Sequence, residues 1–158
     1  MEKRNKGNEF GGKIEMLHMI IEQTYKYPMR MRYNHETGEF TESEYKSLQY
    51  ERNFTKPYGW IKESGTPPFP HWDCILMTDK EFDLGDEIEI KVIGVFKRSD
   101  FDHKYVVVEA TREIDDISEL LTIERDELSK LYPRVGEGEG WFGKEVANYC
   151  MQYHEKAL

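Results

Sequence analysis

The chain has 158 residues, 38% hydrophobic and 13% aromatic, with 22 Lys and Arg against 31 Asp and Glu, for a formal net charge of −9. A chain of this length buries roughly 68–70% of its unfolded surface, so one core needs no disulfide or metal staple, and the aromatic content argues against disorder. Its cations are interleaved among carboxylates, which disfavours nucleic-acid binding through a basic face. No apolar run approaches the roughly 18 residues of a membrane span, and Met1 to Lys6 open without an apolar segment behind them. These features predict a cytoplasmic protein with no membrane partner. Cys74 and Cys150 lack CxxC spacing and read as buried free thiols.

Residues 1–12, anchored only by Phe10, read as a flexible N-terminal tail, and 13–158 as a single domain. From Lys13 to about Lys26, Ile14, Leu17, Ile20, Ile21 and Tyr25 recur at helical spacing and Pro28 closes the run, which predicts an amphipathic helix. Met29, Met31 and Tyr33 then alternate with Arg30 and Arg32, and the turn chemistry of Asn34 to Gly38 precedes Phe40, as in a hairpin. Pro67, Pro68 and Pro70 make residues 65–70 a stiff loop before a strand through Trp72 to Met77. A long bent strand runs from Ile88 to Phe96, with Gly94 as a candidate bulge, and Tyr105 to Val108 forms its hairpin partner. Ile117, Leu120, Leu121, Leu128 and Leu131 predict one or two helices ended by Pro133, with Ser118 as a cap. Gly136 to Gly140 reads as a flexible loop, and Val146, Tyr149, Cys150 and Tyr153 as the buried face of a C-terminal helix. The fold class is therefore α+β, mainly β: a small five-stranded OB-like closed barrel flanked by helices.

Asp100 and Asp102, at i and i+2 in a turn, are the best candidates for a hard divalent cation, with Asp73 as a third carboxylate. A solvated turn is the plainer account of the same spacing. Arg30, Arg32, Lys97, Arg98 and Lys104 are cations of the kind that hold phosphate, or the polar face of half-exposed strands. His71 and His103 flank Asp73 and Asp102, yet no zinc motif, nucleophile elbow or phosphate-binding glycine loop is present.

Taken in order, several segments resemble the soluble magnesium-dependent inorganic pyrophosphatases. Asn34 to Gly38 looks like that family's early hairpin turn, and Pro57-Tyr58-Gly59-Trp60-Ile61 like its Asn-Tyr-Gly-(Tyr/Phe)-Ile motif. Trp72-Asp73 falls at the end of the Asp-x-Asp-Pro-x-Asp signature, Ile93-Gly94-Val95-Phe96 resembles a (Val/Ile)-Gly-Val-Leu segment, and Glu139-Gly140-Trp141 the late Glu-Gly-Trp. Asp100 follows Asp73 by 27 residues, as the family pair does. The resemblance covers roughly residues 29–157.

What it implies is a five-stranded barrel whose mouth holds Mg²⁺, or Mn²⁺, and pyrophosphate or another phosphorylated small molecule, in a homo-oligomer. Asp73, Asp100 and Asp102 match metal carboxylates, the last across a loop shortened by three residues, and Glu22 is a possible counterpart of a metal glutamate. Arg30, Lys46, Tyr58, Lys104 and Tyr132 match substrate-binding positions. Two signature aspartates are replaced by Pro68 and Pro70, and a late lysine by Pro133. His71, with Asp73, is then the candidate catalytic group, with Glu63 as another replacement for the missing acids. Two functions follow: Mg²⁺-dependent hydrolysis of pyrophosphate or a related phosphoanhydride, or a catalytically silent module that binds a phosphorylated ligand or a protein partner. An OB-type nucleic-acid binder using Trp60 and Trp72 is set aside by the charge of −9.

Overall fold

Alternation, not helical spacing, decides the first long element. In the computed structural model, which describes residues 8–10, 13–65 and 70–153, Leu17–Gln23 is a strand, β3, with Leu17, Met19, Ile21 and Gln23 buried at every second position. The helix expected over 13–26 is therefore absent: Leu17 and Ile21 suit both periods, and the β-branched Ile20 and Ile21 suit the pleat better. Two short strands precede it, β1 (Asn8–Phe10) and β2 (Lys13–Glu15), paired antiparallel with each other. Asn8–Phe10 thus form a strand within the segment expected to be a tail; residues 1–7, 11 and 12 lie outside the described residues, as do 66–69 of the proline loop.

The expected hairpin is β4 (Met29–Asn34) with β5 (Glu39–Lys46), a two-stranded sheet of its own. A four-residue helix, α1 (Leu48–Glu51), follows, its N-cap Ser47 accepting from the Tyr50 amide. Next come β6 (Tyr58–Ile61), β7 (Asp73–Leu76), β8 (Glu87–Lys97) and β9 (Lys104–Glu109). The order β8-β3-β6-β7-β9, closed by β9 returning to β8, is a five-stranded barrel, as expected. All its pairings are antiparallel except β7–β9, which is parallel.

The long strand β8 bends where expected. Its register with β9 shifts between Val92 and Gly94, and a Cβ on Gly94 would lie 2.7 Å from the Phe142 carbonyl oxygen and 3.0 Å from Ile117. That close approach admits β10 (Gly140–Gly143), which adds to the far edge of β8. Gly59 faces β3 more tightly still, since a Cβ there would run into the Ile20 carbonyl.

Period-two alternation gives the barrel strands two apolar faces. Cys74, Leu76, Tyr105 and Val107 pack in one cluster with Met19, Ile21 and the helix α3 (Lys144–Tyr153), while Ile75, Met77, Val106 and Val108 pack in another with Phe54 and α2 (Thr122–Leu131). Both cysteines are buried and free. On α3 the buried residues are Ala147, Cys150 and Met151, whereas Tyr149 and Tyr153 are 63% and 43% exposed, so the expected aromatic face is corrected. Spacing of i, i+3, i+4 selects the inward face, and side-chain bulk does not. Nor is Ser118 the expected cap: Asp116 caps the single 3₁₀ turn Ile117–Glu119, taking hydrogen bonds from the Ser118 amide and hydroxyl and from the Lys144 amide.

Buried charge is paired throughout this framework. Glu124, 5% exposed, accepts two hydrogen bonds from Arg112, at 2.9 and 2.7 Å, and one from the Leu121 amide at the start of α2. Lys91 pairs with Asp115, and Lys56 reaches Asp79, Glu127 and the Thr78 carbonyl. Among the described residues no helix is long and apolar enough to cross a membrane.

Candidate functional site

A cleft of about 360 Å³ opens at one end of the barrel, between its strands and the β4–β5 hairpin. Each wall has a local cause. The pairing of β3 with β6 shifts between Ile21 and Gln23, leaving Glu22 as the extra residue of a bulge, which aims a carboxylate into the cleft. The next residue, Gln23, is 4% exposed and fastens the hairpin: its Nε2 donates to the Tyr27 and Met29 carbonyls, and its Oε1 accepts from the Met31 amide at 2.7 Å. That clamp places Arg30 opposite Glu22, while the end of β5 brings Tyr45 and Lys46 to the rim.

The parallel pairing of β7 and β9 sets Asp73 directly beside Lys104. The Lys104 ammonium, in a side chain only 8% exposed, lies 2.8 Å from Asp73 Oδ2 and 3.1 Å from Asp102 Oδ1. Tyr58, one pleat along on β6, donates its hydroxyl to the same Asp73 oxygen at 2.8 Å, and the Lys104 ammonium sits 5.8 Å from its ring centroid. Tyr132, just past α2, stacks on Phe96 at 4.6 Å between ring centroids, with Trp141 behind it, which fixes its phenol in the cleft.

Burial and neighbouring charge set the protonation of these groups. Burial, reinforced by the Asp73 carboxylate and opposed by Arg30 and Lys104, pushes the Glu22 carboxyl up from 4.5 to about 7. Burial, and then Asp73, raise Tyr58 well above the ordinary phenol, so it remains a neutral donor. Tyr132 is raised by burial as well, against the charge of Lys104. Burial pulls Lys104 down, but Asp73 and Asp102 outweigh it, so the ammonium is held more firmly than in water.

Eight of the ten residues expected at the site line this one cleft: Glu22, Arg30, Lys46, Tyr58, Asp73, Asp102, Lys104 and Tyr132. Asp100 and His71 do not. Asp100 is exposed and organises its own turn, accepting from the Asp102 amide at 3.0 Å and lying 3.5 Å from Arg98, while Phe101 takes a left-handed φ of 65°. His71 is exposed, donates from Nδ1 to the Ser64 carbonyl at 2.5 Å, and stacks near Trp60 and His35. Glu63 is taken up by the amide and ring of His18, at 2.6 and 2.7 Å. Pro70 is exposed, and Pro68 falls among the residues not described.

The sequence reading missed Gln23, assigned to a helix, and Leu48 and Gln49, which line the rim from α1. Ser47 ahead of Leu48 was the available signal for a helix start. Arg98, noted only as one cation among several, lines the cleft beside Asp102 and Lys104.

Oxygen donors dominate the acidic side of the cleft, which suits a hard cation and not zinc. Among the described residues no three acids, histidines or cysteines are grouped closely enough to cage a metal. The arrangement instead fits the ordinary manner of Mg²⁺, which keeps several waters and takes one or two carboxylates together with phosphate oxygens. Glu22 and Asp73 are the pair that fit this role, because both line the cleft and the Asp73 carboxylate adds to the cost of charging Glu22.

No protein-family model and no curated protein matches this sequence. Solved structures do match. An inorganic pyrophosphatase from Neisseria gonorrhoeae superposes with a TM-score of 0.69 at 19% identity, covering 90% of each chain. The enzyme of Ehrlichia chaffeensis gives 0.65 at 19% identity, covering 99% of this chain and 100% of its own. That of Thermus thermophilus gives 0.61 at 17%, covering 96% and 98%. The barrel, the cleft-bearing end and the flanking helices of this chain are built on the fold of the inorganic pyrophosphatases.

Proposed function

We propose that the protein is a divalent-cation-dependent hydrolase of inorganic pyrophosphate or a related phosphoanhydride. The observation that carries this reading is the convergence of carboxylates, cations and phenols in one cleft: Glu22, Asp73 and Asp102 with Arg30, Lys46, Arg98 and Lys104, and Tyr58 and Tyr132. A diphosphate concentrates negative charge, so binding calls for cations and neutral donors, and the guanidiniums of Arg30 and Arg98 suit planar, two-point contact with phosphate oxygens. Tyr132, held protonated, offers a hydrogen bond without adding charge, while Tyr58, also protonated, gives its one hydroxyl proton to Asp73. Glu22 and Asp73 would hold Mg²⁺, which when bound neutralises phosphate oxygens and supplies a water of lowered pKa. Lys104 orients Asp73 through their 2.8 Å contact, and its own charge is available to the leaving phosphate.

A second reading has its own observation. Asp73 Oδ2 is already shared by Lys104 and Tyr58, and His71 and Glu63, the candidate replacements for the acids missing at 68 and 70, are engaged elsewhere. This favours a module that binds a phosphorylated ligand without turning it over. Phosphate release from pyrophosphate, followed over a range of Mg²⁺ concentrations, separates the two. A hydrolase shows Mg²⁺-dependent release that Asp73→Asn abolishes. Calorimetric binding without release identifies the silent module, and release restored by Pro68→Asp with Pro70→Asp would show that only the water-handling acids are missing.

A further inference from the structure

The lining of the cleft is not charged throughout. The hairpin brings Arg30 and Lys46 to it, and beside these cations the hairpin and α1 also place an uncharged set, Met31, Tyr45, Leu48 and Gln49. Tyr45 is 57% exposed and Leu48 36% exposed, which leaves apolar surface at the rim of a site otherwise built for anions. The Arg32 guanidinium lies 5.6 Å from the Tyr45 ring centroid and steadies that ring from the hairpin side. Gln49 accepts from the Ser47 hydroxyl at 3.0 Å through its amide oxygen, so its NH₂ remains as the donor. An inorganic diphosphate presents only anionic oxygens and gains nothing from such a wall. The volume of about 360 Å³ falls in the range, roughly 300–1,000 Å³, of clefts that take a drug-sized ligand.

We infer that the cleft recognises a phosphoanhydride ester carrying a planar organic group, a nucleoside 5′-diphosphate by chemical class, with its phosphates on Arg30, Arg98 and Lys104 and its ring against Tyr45 and Leu48. This rests on the phosphoanhydride reading of the same cleft. The ring is contacted by a face already held in place, and the Gln49 amide offers a donor to acceptor atoms on the ring edge. Selectivity then comes from the uncharged residues of the hairpin and α1, and charge recognition from Arg30 of the hairpin together with Arg98 and Lys104.

The test is calorimetric titration of the full chain in Mg²⁺ with three probes: inorganic pyrophosphate, methyl diphosphate and adenosine 5′-diphosphate. Stacking of a base on one aromatic side chain is worth between about fivefold and about 150-fold in affinity, so the adenosine ester should exceed methyl diphosphate by that factor. Tyr45→Ala and Leu48→Ser, each at an exposed position and checked by thermal melting, should each shrink the ratio of the two affinities. Equal affinities for the two esters, or a ratio that neither variant moves, overturns the inference while binding of pyrophosphate leaves the underlying reading in place. Binding of none of the three overturns both.

Discussion

Glu22 offers the sharpest test, because the same electrostatics that would make it a cation ligand must cost the empty protein stability. In the unfolded chain its carboxyl ionises near 4.5, and in the cleft near 7. A group whose folded pKa is raised contributes stability that is fully present below the unfolded value and lost as pH rises through the folded one. Metal-free protein should therefore lose stability from about pH 4.5 to above pH 7 on account of this residue. The rise bounds the loss at about 3 kcal/mol, and partial solvent access to the cleft reduces it to roughly 1–2 kcal/mol. Glu22→Gln keeps the shape and removes the charge. In chelator at pH 8 it should melt higher than wild type, by roughly 2–4 °C per kcal/mol, with the advantage gone near pH 4.5. Added Mg²⁺ should raise the melting temperature of wild type at pH 8 and not that of the variant. Thermal melts at several pH values, with and without Mg²⁺, read all of this. A variant less stable than wild type at pH 8, or one whose advantage is the same at every pH, would refute the assignment of Glu22 as a charge held at a cost for function.

Gly59→Ala should lower stability by more than about 3 kcal/mol in denaturant titration, since its Cβ would collide with the Ile20 carbonyl at the bulge that aims Glu22. An effect below 1 kcal/mol would mean that β3 and β6 are not this close. Glu124→Gln should cost roughly 3–5 kcal/mol by leaving Arg112 without its carboxylate. Arg112 and the Leu121 amide, opposing burial, hold the Glu124 carboxyl below its usual range, so its contribution is present above pH 4.5 and lost as pH falls through the folded value. The acid limb of the stability profile should flatten in Glu124→Gln; an unchanged limb counts against the pair. His71→Ala should change phosphate release far less than the hundredfold of a general base, because Nδ1 is spent on Ser64 and the ring stacks away from the cleft. A hundredfold loss would return His71 to the catalytic group.

The barrel and most of the lining of the candidate cleft were legible because their signals are local. Alternation over residues 87–92, Gly94 at the bend and the β-branched run Val106 to Val108 specify the long β8–β9 hairpin without reference to the rest of the chain. Ordered short motifs did the same for Tyr58, Asp73 and Lys104. The failures share one cause, which is that the deciding interaction is distant in sequence. Residues 17–23 satisfy helical and strand periods alike, and only the neighbours β6 and β8, one on each side, select the strand. Gln23 has no helical reason to be polar. It is polar because three backbone groups of residues 27–31 meet it in the folded chain.

Asp100 and His71 were assigned to the site on spacing and proximity in sequence, and neither measure carries direction. A turn that places Phe101 at a φ of 65° rotates Asp100 toward Arg98 and the Asp102 amide, while its neighbour two residues on faces Lys104. At His71 the bond to Ser64 turns the ring toward Trp60, although Asp73, two residues further, opens the cleft wall. Two residues with one between them on an ideal strand share a face; at the start of a strand, where the pleat has not begun, they need not. The cleft is therefore assembled at strand ends, by Glu22 in a bulge, Asp73 and Lys104 as the first residues of their strands, and Lys46 as the last of its own. Side-chain direction there is fixed by pairing across strands, and that pairing is why Asp73, Asp102 and Lys104 form one network while Asp100 stands outside it.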